Sequence, residues 1–321
     1  MRNNVTAESL LRRTFAGGSL HFSSHARSGQ DTLAEVTASH PARRPSRPLR
    51  RIQRFPRLLL MLLLYSSVVA AQDWTENAEG RVLGQAVYER PASIGRAGDM
   101  HFKLTNKRGR SRERLAMMVR TQDEHTTRVA IFFKSPAAIQ NTAFLSHEHD
   151  HQEDDSWLYL PATDRVRRLP AAERGDAFIG SDLSYGDIRD NFRFPTEHWR
   201  FRSTGMRTKN GKDLRVLEGL ARSEESAREM GYGRFEALID EDTLFPVEVA
   251  YFDVYDQPLK QTEVMEIGRV GDAWVALAFS VRNLQTGHRT DITFEGMRAV
   301  PNLDERVFQP AALVDGVPRI R

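Results

Sequence analysis

The chain has 321 residues and no cysteine, which excludes disulfide scaffolds, zinc ribbons and cysteine nucleophiles. Its formal net charge of +3 is misleading, because residues 1–71 hold 11 Lys+Arg against 3 Asp+Glu and leave the remainder at −5. A nucleic-acid partner, which a basic chain would suggest, therefore loses its main support.

Residues 1–49 are rich in Arg, Ser and Pro without apolar periodicity, and read as a disordered leader. Arg50, Arg51, Arg54 and Arg57 then precede 14 uncharged residues, Leu58 to Ala71, which end in small side chains. These are the parts of a secretory signal peptide at 50–71, cleaved after Ala71. A helix of that length spans about 21 Å, against a hydrocarbon core of about 30 Å, so an anchor is disfavoured. The expectation is export to the periplasm, with residues 72–321 as one domain.

In that domain Glu76 to Tyr88 fits an amphipathic helix with Val82, Leu83, Ala86 and Val87 on one face, ended by Pro91 and Gly95. From Gly98 the period changes to two, over runs centred on Met100–Leu104, Leu115–Val119 and Val129–Phe133. Strand-like runs continue at Thr142–Ser146, Trp157–Leu160 and Arg165–Leu169. Alternation then stops between Pro170 and Pro195, which reads as loop plus a short helix near Ser184–Asp190 capped by Ser184. A second set of strands follows from Trp199, with Asn210-Gly211 as a hairpin turn between its first two members. Leu303–Phe308 suggests a last helical turn.

The total is about eleven strands with short connections, so the fold class is mainly β: one curved antiparallel sheet with an N-terminal helix and short lid helices. In Trp274–Val281 both faces are apolar, which requires cover on each side. The 76–88 helix and the 171–194 segment are the sizeable candidates for that cover.

Catalytic signals are lacking. There is no G-x-S-x-G elbow, phosphate loop or dinucleotide fingerprint, and no catalytic residue or cofactor is assigned. Paired carboxylates such as Glu224-Glu225 fall in turns and read as solvated charge. His147, His149 and His151 would share one face of a strand and suit Zn²⁺, Ni²⁺ or Cu²⁺. Their segment, Ser146 to Asp155, has no apolar residue and reads as a solvated hairpin loop, so no metal site is assigned. In Gly175–Asp187, Asp182 and Asp187 can cap helix starts or pair with Arg165, Arg167 and Arg168, and the segment reads either as a capped loop or as a lid.

The series Trp157-Leu158-Tyr159-Leu160-Pro161, Arg165-Val166-Arg167-Arg168 and Gly180-Ser181-Asp182-Leu183-Ser184-Tyr185-Gly186-Asp187 resembles the outer membrane lipoprotein-sorting family, in its LolA-like branch. Leu238-Ile239-Asp240 with Leu244-Phe245-Pro246, the Gly287-His288-Arg289-Thr290 turn and Leu303-Asp304-Glu305-Arg306-Val307-Phe308 extend the likeness in the same order. The resemblance implies an incomplete β-barrel closed by short helices around an apolar cavity. It further implies a periplasmic carrier of a lipid or lipoprotein acyl chain, without catalysis, with an inner-membrane RND-type transporter as partner. The alternative is an accessory protein of such an exporter that holds no ligand. Under the carrier reading the expected cavity lining is Leu115, Met117, Val119, Val129, Ile131, Phe133, Val275, Leu277 and Phe279. Phe178, Ile179 and Leu183 are the expected lid residues.

Overall fold

The computed structural model describes residues 74–92, 95–149 and 153–320; the leader, the signal segment and His151 lie outside the described residues. Among the described residues the first element is helix α1 (Ala78–Glu89), capped by the Asn77 side chain, which accepts from the Gly80 amide. Its buried face is Gly80, Leu83, Gly84 and Val87, and Val82, expected on that face, is 72% exposed. The reason is close approach. A Cβ on Gly80 would lie 2.5 Å from the Arg202 Cα, and one on Gly84 would lie 2.6 Å from the Phe201 ring. The glycines turn the helix so that its bare backbone meets the sheet.

Six strands follow in a meander: β1 (Gly95–Thr105), β2 (Ser111–Gln122), β3 (Thr126–Ser135), β4 (Ala143–His149), β5 (Asp155–Leu160) and β6 (Arg165–Arg168). After residues 169–198 come β7 (Trp199–Lys209) and β8 (Lys212–Ala221), then a short helix, then five more strands. These are β9 (Arg234–Asp240), β10 (Phe245–Phe252), β11 (Pro258–Val270), β12 (Ala273–Asn283) and β13 (Arg289–Ala299). Asn210 and Gly211 both have positive φ, as a two-residue hairpin turn requires. Every alternating run becomes its own strand, so the sheet has thirteen strands rather than about eleven.

Neighbouring strands are neighbours in sequence except at one place, where β1 pairs antiparallel with β13. That pairing joins two meanders into one open sheet and leaves β6 and β7 as its edges. Because β6 and β7 are consecutive in the chain, the segment between them must cross from one edge to the other. This crossover, residues 169–198, lies over the inner face, and it contains helix α2 (Tyr185–Asp190). Ser184 caps α2 as expected and forms a reciprocal capping box with Asp187.

Three covers complete the core. The crossover packs on β1–β5 and β10–β13, and α1 packs on the inner face of β7–β10. The third cover includes the helical turn expected at Leu303–Phe308, although the sequence reading gave that turn no face to cover. Val307, Phe308 and Leu313, in two 3-10 turns (Glu305–Phe308 and Pro310–Asp315), cover Val119, Phe132, Leu145 and Tyr159 on the outer face. Helix α3 (Glu224–Met230) is absent from the sequence reading, which placed Glu224 and Glu225 in a turn.

Candidate functional site: the crossover and the cavity beneath it

The crossover has an apolar centre. Phe178 is fully buried, with its ring among those of Phe102, Phe133, Phe144 and Tyr185 at centroid distances of 6.4, 6.0, 5.5 and 5.4 Å. Leu183 and Ile188 are buried in the same cluster, and Ile179, in a left-handed conformation, is half-buried against it. The three expected lid residues therefore all lie on the crossover and pack against the sheet.

Around that centre runs a polar rim that ties the crossover to the strands. Asp182 Oδ2 accepts from Thr290 Oγ1 at 2.7 Å and lies 2.6 Å from His288 Nδ1. Asp187 pairs with buried Lys260 of β11, and Arg114 of β2 donates to the Ile179 carbonyl. Arg189 binds Asp190 and Asp154, each at 2.5 Å, and Arg174 pairs with Glu229 of α3. The expected pairing of Asp182 and Asp187 with Arg165, Arg167 and Arg168 is not formed: Arg167 binds Glu173 and Arg168 binds Asp155 instead. Those arginines belong to the edge strand β6.

The C-terminal end of α2 is held by arginines. Asn191 and Phe192 both adopt positive φ, an unfavourable pair for non-glycine residues. Arg90, the residue after α1, donates to the carbonyls of Val87, Asn191 and Phe192, each at 2.8 Å. Arg120 Nη1 donates to the Arg189 carbonyl at 2.8 Å, and Arg193 donates to the Arg90 carbonyl. One guanidinium thus fastens α1 and the crossover together.

Between crossover and sheet lies a cavity of about 50 Å³. Met100, Met118, Val129, Ile131, Phe279 and Leu183 form apolar walls, while Arg120, Arg193, Asp187 and Asp190 line it at the polar rim. The volume suits a water or two and is far below the roughly 300 Å³ of ordinary ligand pockets. The crossover occupies the space a larger guest would need.

Of the expected lining residues, Val129, Ile131 and Phe279 line this cavity, and Phe133 lies in the same core beneath Phe178. The β2 set faces away. Met117 and Val119 pack under the C-terminal segment on the outer face, and alternation puts Leu115 on that face too. The inner residues of β2 are Arg114, Ala116, Met118 and Arg120. Val275 and Leu277 pack with Val270 and Ala273 in a separate cluster, although Phe279 is two residues further on. Register shifts between β11 and β12, at Val264/Glu266 and Glu266/Ile267, break the alternation there.

The histidine segment differs from the expected loop. His147 and His149 stand on β4; His147 Nε2 lies 2.8 Å from the Phe308 carbonyl, and its ring packs against Trp157. Burial pushes the His147 pKa down. Among the described residues no group of His, Cys, Asp or Glu is arranged to hold a metal ion. Glu148 and Asp154, read as solvated acid, instead join the ionic rim. Burial, with Asp190 nearby, raises Glu148 to about 7. Burial pushes Arg120 down to about 10, against the opposing pull of Glu148. Of the missed residues Arg96 had a signal, since it falls in step with the apolar set Met100, Phe102 and Leu104; Arg120 had none, because it alternates with Met117 and Val119.

A family model described as an uncharacterized protein matches residues 125–315, from the start of β3 to the C-terminal segment. No curated protein matches the chain. Among solved structures, a DUF1329 family protein from Desulfovibrio piger is 22% identical, with a TM-score of 0.67 over 73% of this chain and 98% of that one. A putative outer membrane lipoprotein-sorting protein domain from Vibrio parahaemolyticus is 28% identical, with a TM-score of 0.65 over 74% and 97%. A LolA superfamily protein from Nitrosomonas europaea is 14% identical, with a TM-score of 0.55 over 74% and 98%. The chain belongs to this family of uncharacterized proteins, and it is similar in fold to a lipoprotein-sorting domain and to a LolA superfamily protein.

Proposed function

We propose that this protein is a periplasmic carrier of a hydrophobic ligand, a lipid or lipoprotein acyl chain, and that it catalyses no reaction. The observation that carries the reading is the crossover itself: an apolar centre seated on an apolar sheet face, held only at its rim by ion pairs and hydrogen bonds. The export signal at 50–71 and the likeness to a lipoprotein-sorting domain support the location and the ligand class.

The energetics allow an exchange. Lifting the crossover exposes Phe178, Leu183, Tyr185 and Ile188, at about 2 kcal/mol each, or roughly 8 kcal/mol. An acyl chain of about twelve methylenes returns about 0.8 kcal/mol per methylene, or roughly 10 kcal/mol. The guest replaces the lid's own side chains against Phe102, Phe133 and Phe144, and the rim contacts of Asp182 and Asp187 oppose opening. A carrier that must both load and release needs a near-balance.

Native mass spectrometry of protein purified from a periplasmic extract tests the proposal, together with uptake of a fluorescent fatty acid. Co-purifying lipid, and a fluorescence rise on adding the fatty acid, are expected. Clean protein with no uptake would sink the carrier and favour an accessory protein of an RND-type exporter that holds no ligand.

A further inference from the structure

A cluster of four arginines stands beside the cavity, with Arg120 and Arg193 in its lining. Arg96 of β1 and Arg120 of β2 oppose each other directly across the sheet, and each is 3% exposed. Arg193 of the crossover and Arg90 after α1 stand near them: burial lowers the pKa of both Arg90 and Arg96, and the charge of Arg193 lowers both further. Among the described residues Arg90, Arg96 and Arg193 have no carboxylate within ion-pair distance, and Arg120 reaches only Glu148, at 4.0 Å.

Part of this cluster is structural. Arg90 uses its donors on the carbonyls at the ends of α1 and α2, and Arg120 Nη1 and one nitrogen of Arg193 do the same. The rest is unused. Arg96 Nε, Arg120 Nη2 and Arg193 Nε are buried without a hydrogen-bond partner, and Arg120 and Arg193 line the cavity. A buried donor without a partner costs about 1–3 kcal/mol, more when it is charged. Four clustered guanidiniums add mutual repulsion to that cost. The carboxylates that also line the cavity do not answer it, because Asp190 is taken by Arg189 and Asp187 by Lys260 and the Ser184 amide. Asp187 Oδ1 is itself unpartnered.

We propose that, with the crossover lifted, the unused donors of Arg96 and Arg120 on the sheet bind the anionic oxyacid head, phosphate or carboxylate, of an amphiphile whose chain lies over Met100, Met118, Val129, Ile131 and Phe279. This names the ligand class for the carrier reading above and rests on it. Guanidinium forks match the paired oxygens of both head groups, which a single ammonium would not. The continuity of the cationic end with apolar walls selects an amphiphile over a free anion, whose binding would use the charged end alone.

The test is displacement of a neutral apolar dye from the purified protein by decyl phosphate, decanoate and decanol, with inorganic phosphate as a fourth competitor. The two anions are expected to bind about tenfold or more tighter than decanol. Arg96→Gln is expected to erase most of that advantage. Whichever anion binds tighter assigns the head as phosphate or carboxylate. Equal binding of all three decyl compounds overturns the anionic head and leaves the carrier standing. Binding of inorganic phosphate with no gain from the decyl chain overturns the amphiphile. If no decyl compound binds, the carrier reading fails and takes this inference with it. Should Arg96→Gln not fold, the comparison of charged and neutral chains in the unaltered protein still decides.

Discussion

Glu148 shows how much a single buried side chain can be changed by its surroundings. It faces Arg120 from β2, Arg189, Asp190 and Arg193 from the crossover, and Asp154 from the start of β5. Burial and the neighbouring carboxylates outweigh the arginines, so its pKa rises from 4.5 to about 7. A carboxyl that holds its proton more tightly when folded contributes stability below about pH 4.5, and that stability is lost as pH rises through 7. The expected loss is about 2–3 kcal/mol. Urea midpoints taken from pH 5 to pH 8 should fall for the unaltered protein and stay nearly level in this window for Glu148→Gln. A fall of the same size in the variant would show that another group carries the effect. None of this was legible in the sequence, where Glu148 sits within a run of His, Asp and Glu that reads as a solvated turn. Alternation along β4 sends Glu148 inward, opposite in direction to His147 and His149.

At the scale of elements, α1 and the crossover are set by different kinds of information. The helix was visible from its periodicity, but its buried face was misjudged because the glycines look like gaps in an apolar stripe. They are the contact surface. Gly84→Ala places a methyl 2.6 Å from the Phe201 ring, and should cost about 1–3 kcal/mol by overpacking despite the better helix propensity of alanine. Thermal unfolding checks this, and an unchanged or raised midpoint would mean that α1 shifts to accommodate the methyl. The crossover's helix was legible down to its cap, since Ser184 followed three residues later by Asp187 is a local signal. Its target was not. Asp187 meets Lys260 and Asp182 meets His288 and Thr290, partners 73 and more residues away, which no local pattern specifies.

For the molecule as a whole, the β1–β13 pairing is decisive. It sends β6 and β7 to opposite edges and so forces the intervening chain across the inner face. The outer face of β3–β5 depends in turn on the C-terminal segment, whose Val307, Phe308 and Leu313 shield Phe132, Leu145 and Tyr159. Truncation after residue 302 should expose that apolar surface and lower stability by several kcal/mol, about 1.5–3 kcal/mol for each buried side chain lost. It should also raise dye binding and aggregation. A truncated protein that stays monomeric, with an unchanged urea midpoint, would show that the segment is not part of the core.

The sequence by itself determined the fold class, the meander order, the hairpin turns, the capped helix and the candidate lid, because periodicity and turn chemistry act within a few residues. Tertiary structure alone decided which face of each strand is inner. The face of β2 is set by what covers each side, and that of β12 by a register shift. It also assembled the arginine cluster and its carboxylate rim, which bring together β1, β2, β4, α1 and the crossover. Buried charges are fixed by partners distant in the chain, so their role appears only once the sheet has closed β1 against β13.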